Sequence, residues 1–242
     1  MEEGSSGKGS PETPVVLPAV PWLVDGNQFE PYLESCLAHI KNQDCPEATI
    51  LPPFITEAYK EKIVLDRKSQ MGFLNGKLNE IINYFQGTDA SLLWIVDADN
   101  EVPPNALSKL LSWDADLASG ISPGHGSPNH STVMRWMPPP SPEMPWSTPY
   151  YKPLQMNEVL GKHLDGTMYA FATGHFCLLT KRRVYNWLRF QWSPEQKLGN
   201  EIVFWEHAQN LGLKCVIDGT VLCGHLPEHP LVDLQEKLGW SN

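Results

Sequence analysis

The amino-acid sequence predicts an α/β domain, a mostly parallel central sheet with helices packed on both faces. Three observations lead there. Short apolar runs alternate along the chain with segments whose apolar residues recur at helical spacing. Residues 91–96 (SLLWIV) are apolar without alternation, as a strand covered on both faces must be. That run stops at two carboxylates, and sheets of this kind bind ligands beyond the carboxyl ends of their strands.

The elements follow in order. Residues 1–13 are polar and rich in Gly and Ser, the composition of a disordered tail, so 14–242 is expected to be one domain. An apolar stretch at 15–24, broken by prolines, predicts the first strand. Between 29 and 43 the positions Phe29, Tyr32, Leu33, Cys36, Leu37 and Ile40 share a helical face, with Asn27 ahead of them as a cap. Short strands are expected at 48–51 and 62–65. Leu74, Leu78, Ile81, Ile82 and Phe85 line one side of a second helix, which Gly87 ends. Pro103 and Pro104 open a third helix running through Trp113, since the first-turn amides of a helix need no partner. A strand is expected at 116–122.

The stretch 134–165 differs in character. Seven prolines between Pro138 and Pro153, with Trp136, Trp146, Tyr150 and Tyr151, predict a long flexible loop of functional use. Regular structure resumes as a strand at 174–180 and helices at 181–190 and 200–211, the second closed by Gly212. A last strand region is expected at 214–223. No internal repeat is visible.

Composition narrows the function classes. A net charge of −10 argues against nucleic acid or an anionic membrane surface as the main partner, because phosphate binding relies on Lys and Arg. An acidic chain still binds a phosphorylated ligand when a divalent cation supplies the positive charge. Five cysteines, odd in number and without a C-x-x-C pair, argue against a zinc ribbon or a disulfide framework. The first residues lack the apolar core of a signal peptide, and no run approaches the ~18 apolar residues of a membrane span. A cytoplasmic protein, at most peripheral to a membrane, is expected.

Four constellations carry chemistry. Asp97 and Asp99 follow the buried strand, where two carboxylates suit a hard cation that bridges phosphate oxygens; alone, a D-x-D serves equally as a turn cap. Lys77 and Asn79 face either donor phosphates or only solvent. Glu201 opens a helix, where a carboxylate caps against the helix dipole or, aimed at a cleft, takes a proton as general base. His225 follows Gly224 near the end of the chain and is a ligand type for Mn²⁺.

Together these pieces resemble the GT-A glycosyltransferases, particularly the inverting family 2 group. The run LLWIVDADNEVPPNAL (92–107) is similar to that family's apolar strand, aspartate cluster and Pro-bearing helix. Gly76-Lys77-Leu78-Asn79 is a shortened form of an upstream G-K-x-x-A-L-N-like element. The segment ATGHFCLLTKRR (172–183), the helix start NEIVF (200–204) and the pair Gly224-His225 follow in the family's order, from about Val15 to Leu226.

The resemblance implies a metal-dependent enzyme moving a sugar from a nucleoside-diphosphate donor to a hydroxyl of a glycan, lipid-linked or other acceptor, with inversion, while retaining transfer on the same fold stays open because sequence spacing does not set stereochemistry. It implies Asp97, Asp99 and His225 as ligands of Mn²⁺ or Mg²⁺ and Glu201 as the base. Donor contacts would come from Pro21, Trp22, Asp25, Asp66, Lys77, Asn79, Asp97, Gly174 and His175. Two departures stand out. The family's E-D pair is Asn200-Glu201, and no acid ends the early strand region at Ile50, leaving Asp25 or Asp66 to read the base. Two rivals remain: a catalytically degenerate nucleotide-sugar or glycan-binding module, and a nucleotidyltransferase. The second lacks its usual Gly-rich phosphate loop after the first strand.

Overall fold

A computed structural model describes residues 12–21, 30–56, 67–124, 126–137, 150–165, 171–192 and 199–240. In chain order its elements are β1 (Val15–Val20), α1 (Glu30–Lys41), β2 (Thr49–Ile50), β3 (Phe54–Ile55), α2 (Arg67–Gln86), β4 (Leu92–Val96) and β5 (Asn100–Glu101). Then come α3 (Ala106–Ser112), β6 (Leu117–Ile121), β7 (Pro123–Gly124), β8 (Ser127–Met137), β9 (Tyr150–Gln155), α4 (Met156–Val159), β10 (His163–Leu164) and β11 (Phe171–Ala172). The chain closes with β12 (Cys177–Lys181), a 3-10 turn (Arg182–Asn186), α5 (Asn200–Asn210), β13 (Cys215–Leu222), β14 (Gly224–His225) and α6 (Leu231–Leu238).

The central sheet runs β10-β13-β6-β12-β4-β1-β2, with β3 also paired to β1. It is parallel except for β10 and β12, which run opposite to their neighbours. The side-chain period of two divides each buried strand between two cores. Leu93 and Ile95 pack with Ile81, Phe85, Phe204 and Trp205 under α2 and α5. Leu92, Trp94 and Val96 pack with Cys36, Ile40, Leu107 and Leu110 under α1 and α3. Every residue of β4 is buried, which is why its sequence is continuously apolar.

The orientation of β12 decides where the site forms. Because β12 is antiparallel to β4, with Cys177 opposite Val96, it begins where β4 ends. The residues just before it, Gly174 and His175, therefore arrive beside the turn that follows β4. A second, smaller sheet joins β8 to β7, β9 and β11 at the same end. No described helix is long and apolar enough to cross a membrane.

Several expected elements differ. The third helix starts at Ala106, after a turn from Pro103 to Asn105, and its Leu107 amide is capped by the Gln43 side chain at 3.0 Å. The helix expected at 181–190 is a single 3-10 turn. Side chains take the carbonyls an α-helix would use: Arg189 and Gln86 both bond the Tyr185 carbonyl. Of the long loop expected at 134–165, residues 134–137 belong to β8, 150–155 to β9, 156–159 to α4 and 163–164 to β10. Its central part, 138–149, lies outside the described residues, as do the strand expected at 62–65 and residues 1–11 of the disordered tail expected at 1–13. Helix α6 had no counterpart in the expected elements.

Candidate active site

The turn after β4 is built from both sides. Its closing bond runs from the Asn100 amide to the Asp97 carbonyl at 3.0 Å, and the Asp97 amide donates to the Phe176 carbonyl at 3.2 Å. Cys36 of α1 donates its thiol to the Asp97 carbonyl at 3.5 Å. Asn100 is buried and donates to Asp99 Oδ1 at 2.9 Å, so the second carboxylate is oriented by its own neighbour.

Each aspartate meets a histidine delivered by a distant strand. His175, buried before β12, has Nδ1 3.2 Å from Asp97 Oδ1, and its ring packs edge-on against Phe190. Burial alone would push this imidazole down. The charge of Asp97 and its hydrogen bond, with the fields of Glu201 and Asp99, outweigh that and hold it above the usual histidine range. His225 arrives because β14 pairs antiparallel with β5, setting His225 opposite Asn100. Its Nε2 lies 3.6 Å from Asp99 Oδ2, and the Leu226 amide bonds the Asp99 carbonyl at 2.8 Å. The hydrogen bond to Asp99 raises the His225 pKa against the effect of burial. Burial pushes the Asp99 carboxyl up, but the His225 hydrogen bond and charge leave it below the ordinary carboxylate range.

Asp99 and His225 are donor types that a hard divalent cation takes. His225 Nδ1 faces the Pro123 carbonyl at 3.3 Å, and a carbonyl can only accept. Nδ1 therefore carries a proton, and Nε2, which holds the hydrogen bond to Asp99, is the nitrogen that would face a cation once its own proton is released. Among the described residues no three His, Cys, Asp or Glu side chains converge on one point. A site with one carboxylate and one imidazole leaves coordination positions for phosphate oxygens, as Mg²⁺ sites commonly do.

Beyond His175 lies a cavity of about 520 Å³. Glu201, in the first turn of α5, stands on its wall with Ile202, Thr173 and Gly174. The opposite wall is the smaller sheet, through His130, Thr132, Met134, Pro153 and Gln155. The carboxylate of Glu201 folds back over Gly199, where a side chain would collide with it, so the glycine gives the acid its room. His175 feels the charges of both Asp97 and Glu201. The aspartate turn and the cavity are thus adjacent.

Other expected contacts fare differently. Pro21 is buried at the end of β1. Trp22, Asp25 and Asp66 lie outside the described residues. Lys77 pairs with Glu80 at 3.0 Å. Both ends of the Asn79 amide hold the Phe190 backbone, at 3.0 Å each, so this side chain is occupied in joining α2 to the segment after the 3-10 turn. The wall formed by β8 and β9 went unrecognised in the sequence. Pro128 and the mixed polar residues of β8 gave no strand alternation to follow. Glu101 was also missed; it accepts from Ser35 and from the Leu231 amide at the start of α6, at 2.9 and 2.8 Å.

No protein-family model matches the chain, and no curated protein matches it in sequence. Among solved structures, A197 from STIV is similar over 88% of this chain and 86% of its own, at TM-score 0.51 and 11% identity. That likeness extends to the fold. TarS from S. aureus matches over 84% of this chain at TM-score 0.45 and 12% identity, and the match spans 35% of that longer chain.

Proposed function

We propose that this chain is a GT-A-type glycosyltransferase that moves a sugar from a nucleoside-diphosphate donor to a hydroxyl acceptor with inversion. The observation that carries the reading is the convergence of the Asp99–His225 pair with Glu201. The pair turns Nδ1 of its imidazole to the Pro123 carbonyl and Nε2 to Asp99, and Glu201 stands on the wall of the adjoining cavity. Asp99 and His225 would hold Mn²⁺ or Mg²⁺, which when bound offsets charge on the leaving diphosphate. Asp97, held by His175, would orient the donor beside it. The acceptor would enter the cavity with its hydroxyl against Glu201. As the hydroxyl oxygen bonds to the anomeric carbon, the bond from that carbon to the phosphate oxygen breaks. The proton passes to the Glu201 carboxylate and the electron pair leaves with the diphosphate.

Glu201→Gln tests the assignment. Binding of a nucleoside diphosphate with Mn²⁺ should persist by calorimetry while turnover falls about 10²–10⁴-fold. Near-normal turnover would move the base to Asp165 or Glu206. A wild-type chain that binds donors and turns over none would be a nucleotide-sugar-binding module instead.

A further inference from the structure

The cavity wall does not end at the residues that line it. Strands β8 and β9 pair Met134 with Pro153 and then Trp136 with Tyr151, and Met134 also faces Ala172 of β11. Directly opposed residues share a sheet face, and so do residues two apart along a strand. Met134, Pro153 and Ala172 line the cavity, so Trp136 and Tyr151 continue the same face about 7 Å further along the strands. Both rings are half-buried. The Tyr151 hydroxyl is buried and has no hydrogen-bond partner among the described residues, although Glu206 of α5 lies near enough for its charge to act on it.

We infer that this aromatic pair is a second saccharide subsite, and that the acceptor is a neutral glycan of at least two units. The inference rests on the cavity being the acceptor side of the proposed transferase. An indole and a phenol offer flat apolar faces for the C–H face of a pyranose, with polar tips for its hydroxyls. The unpartnered Tyr151 hydroxyl is the kind of buried polar group that a ligand hydroxyl would satisfy. Among the described residues Lys152 is the one Lys or Arg on the cavity lining and Glu201 offsets it; with Glu206 further along α5 and −10 on the chain overall, no net positive charge is there to hold an anionic acceptor. The first unit would sit against Met134 and Pro153 with its hydroxyl at Glu201, and the second would stack one pair further out.

The test uses ligand-observed saturation-transfer NMR and calorimetry on the full chain. The probes are mono-, di- and trisaccharides of glucose, mannose and N-acetylglucosamine. Wild type should bind at least one disaccharide about 10-fold more tightly than its monosaccharide, with saturation reaching C–H groups of both rings. Trp136→Ala and Tyr151→Ala should remove that gain, a loss of about 10-fold for one stacked ring, and Trp136→Phe should restore most of it. Affinity for UDP or GDP with Mn²⁺ should be unchanged in all three variants, which also reports that they fold. Binding of none of these saccharides by wild type would overturn the inference, as would binding of an acidic glycan or a peptide in their place. Equal affinity for one and two units, or full affinity in Trp136→Ala, would overturn it too. Loss of nucleotide binding in wild type alone would instead strike the transferase reading.

Discussion

Cation dependence of donor binding can be worked out in advance. A diphosphate oxygen placed about 4 Å from a carboxylate is repelled by about 4 kcal/mol at an effective dielectric constant near 20. Asp99 is 36% exposed along its side chain, and solvent screens a group so placed. Keeping half leaves about 2 kcal/mol, or roughly 30-fold in affinity, for that carboxylate alone. Without a cation the wild-type chain should therefore bind UDP or GDP at least about 30-fold more weakly than with Mn²⁺. Asp99→Asn gives the sharper test because its two effects have opposite signs. It removes repulsion, so affinity in EDTA should rise, and it removes a ligand, so affinity with Mn²⁺ should fall. The two measurements should converge. Calorimetry in EDTA and in Mn²⁺, on both proteins, reads all four affinities. Equal affinity in wild type under both conditions, or an unchanged ratio in Asp99→Asn, would refute the reasoning.

Four further outcomes are expected. His225→Ala should weaken Mn²⁺ binding by about 10-fold or more, since it removes a proposed ligand whose ring the Pro123 carbonyl orients; an unchanged Mn²⁺ titration would remove His225 from the site. Gly219→Ala should destabilise by about 2–4 kcal/mol in urea unfolding. Its Cβ would collide with the Val159 carbonyl and lie 2.5 Å from the Lys162 carbonyl, across bonds at 2.7 and 2.8 Å that join β13 to the turn after α4. Gly76→Ala, in open space on α2, should stabilise by about 0.5–1 kcal/mol, and a loss there would count against the helix. Asp116 provides the pH test. Burial raises its carboxyl, but bonds from Arg183 at 2.5 and 3.0 Å and from the Lys214 amide at 3.0 Å hold it below the usual range. Its stabilisation is present above the unfolded carboxylate pKa of about 3.9 and is lost as pH falls through the lower folded value. Asp116→Asn should therefore cost about 1–3 kcal/mol near neutrality and progressively less in acid. A constant difference across that range would mean the residue acts through packing alone.

Local rules made much of this molecule legible in its sequence. The unbroken apolar run of β4 announced a strand covered on both faces, and the helical spacing of Leu78, Ile81, Ile82 and Phe85 announced the face that α2 buries. Both signals work because burial acts residue by residue at a fixed period. Asp97 and Asp99 were legible for the same reason: a buried strand that ends in two acids sets them at the carboxyl end of the sheet. Three features depended on pairing between distant segments, which no local period encodes. The antiparallel course of β12 sets His175 against Asp97, although its sequence would suit a parallel strand equally well. The two-residue pairing of β5 with β14 brings His225 to Asp99, and strands that short leave no alternation to read. The cavity wall required β8 and β9 to fold back on each other across a Pro-rich stretch that, read alone, describes a loop. The sequence by itself determined which residues are buried and which acids stand at the strand end. Tertiary structure alone decided which histidine meets which acid and what faces Glu201, because those choices depend on register and strand direction, and side-chain period specifies neither.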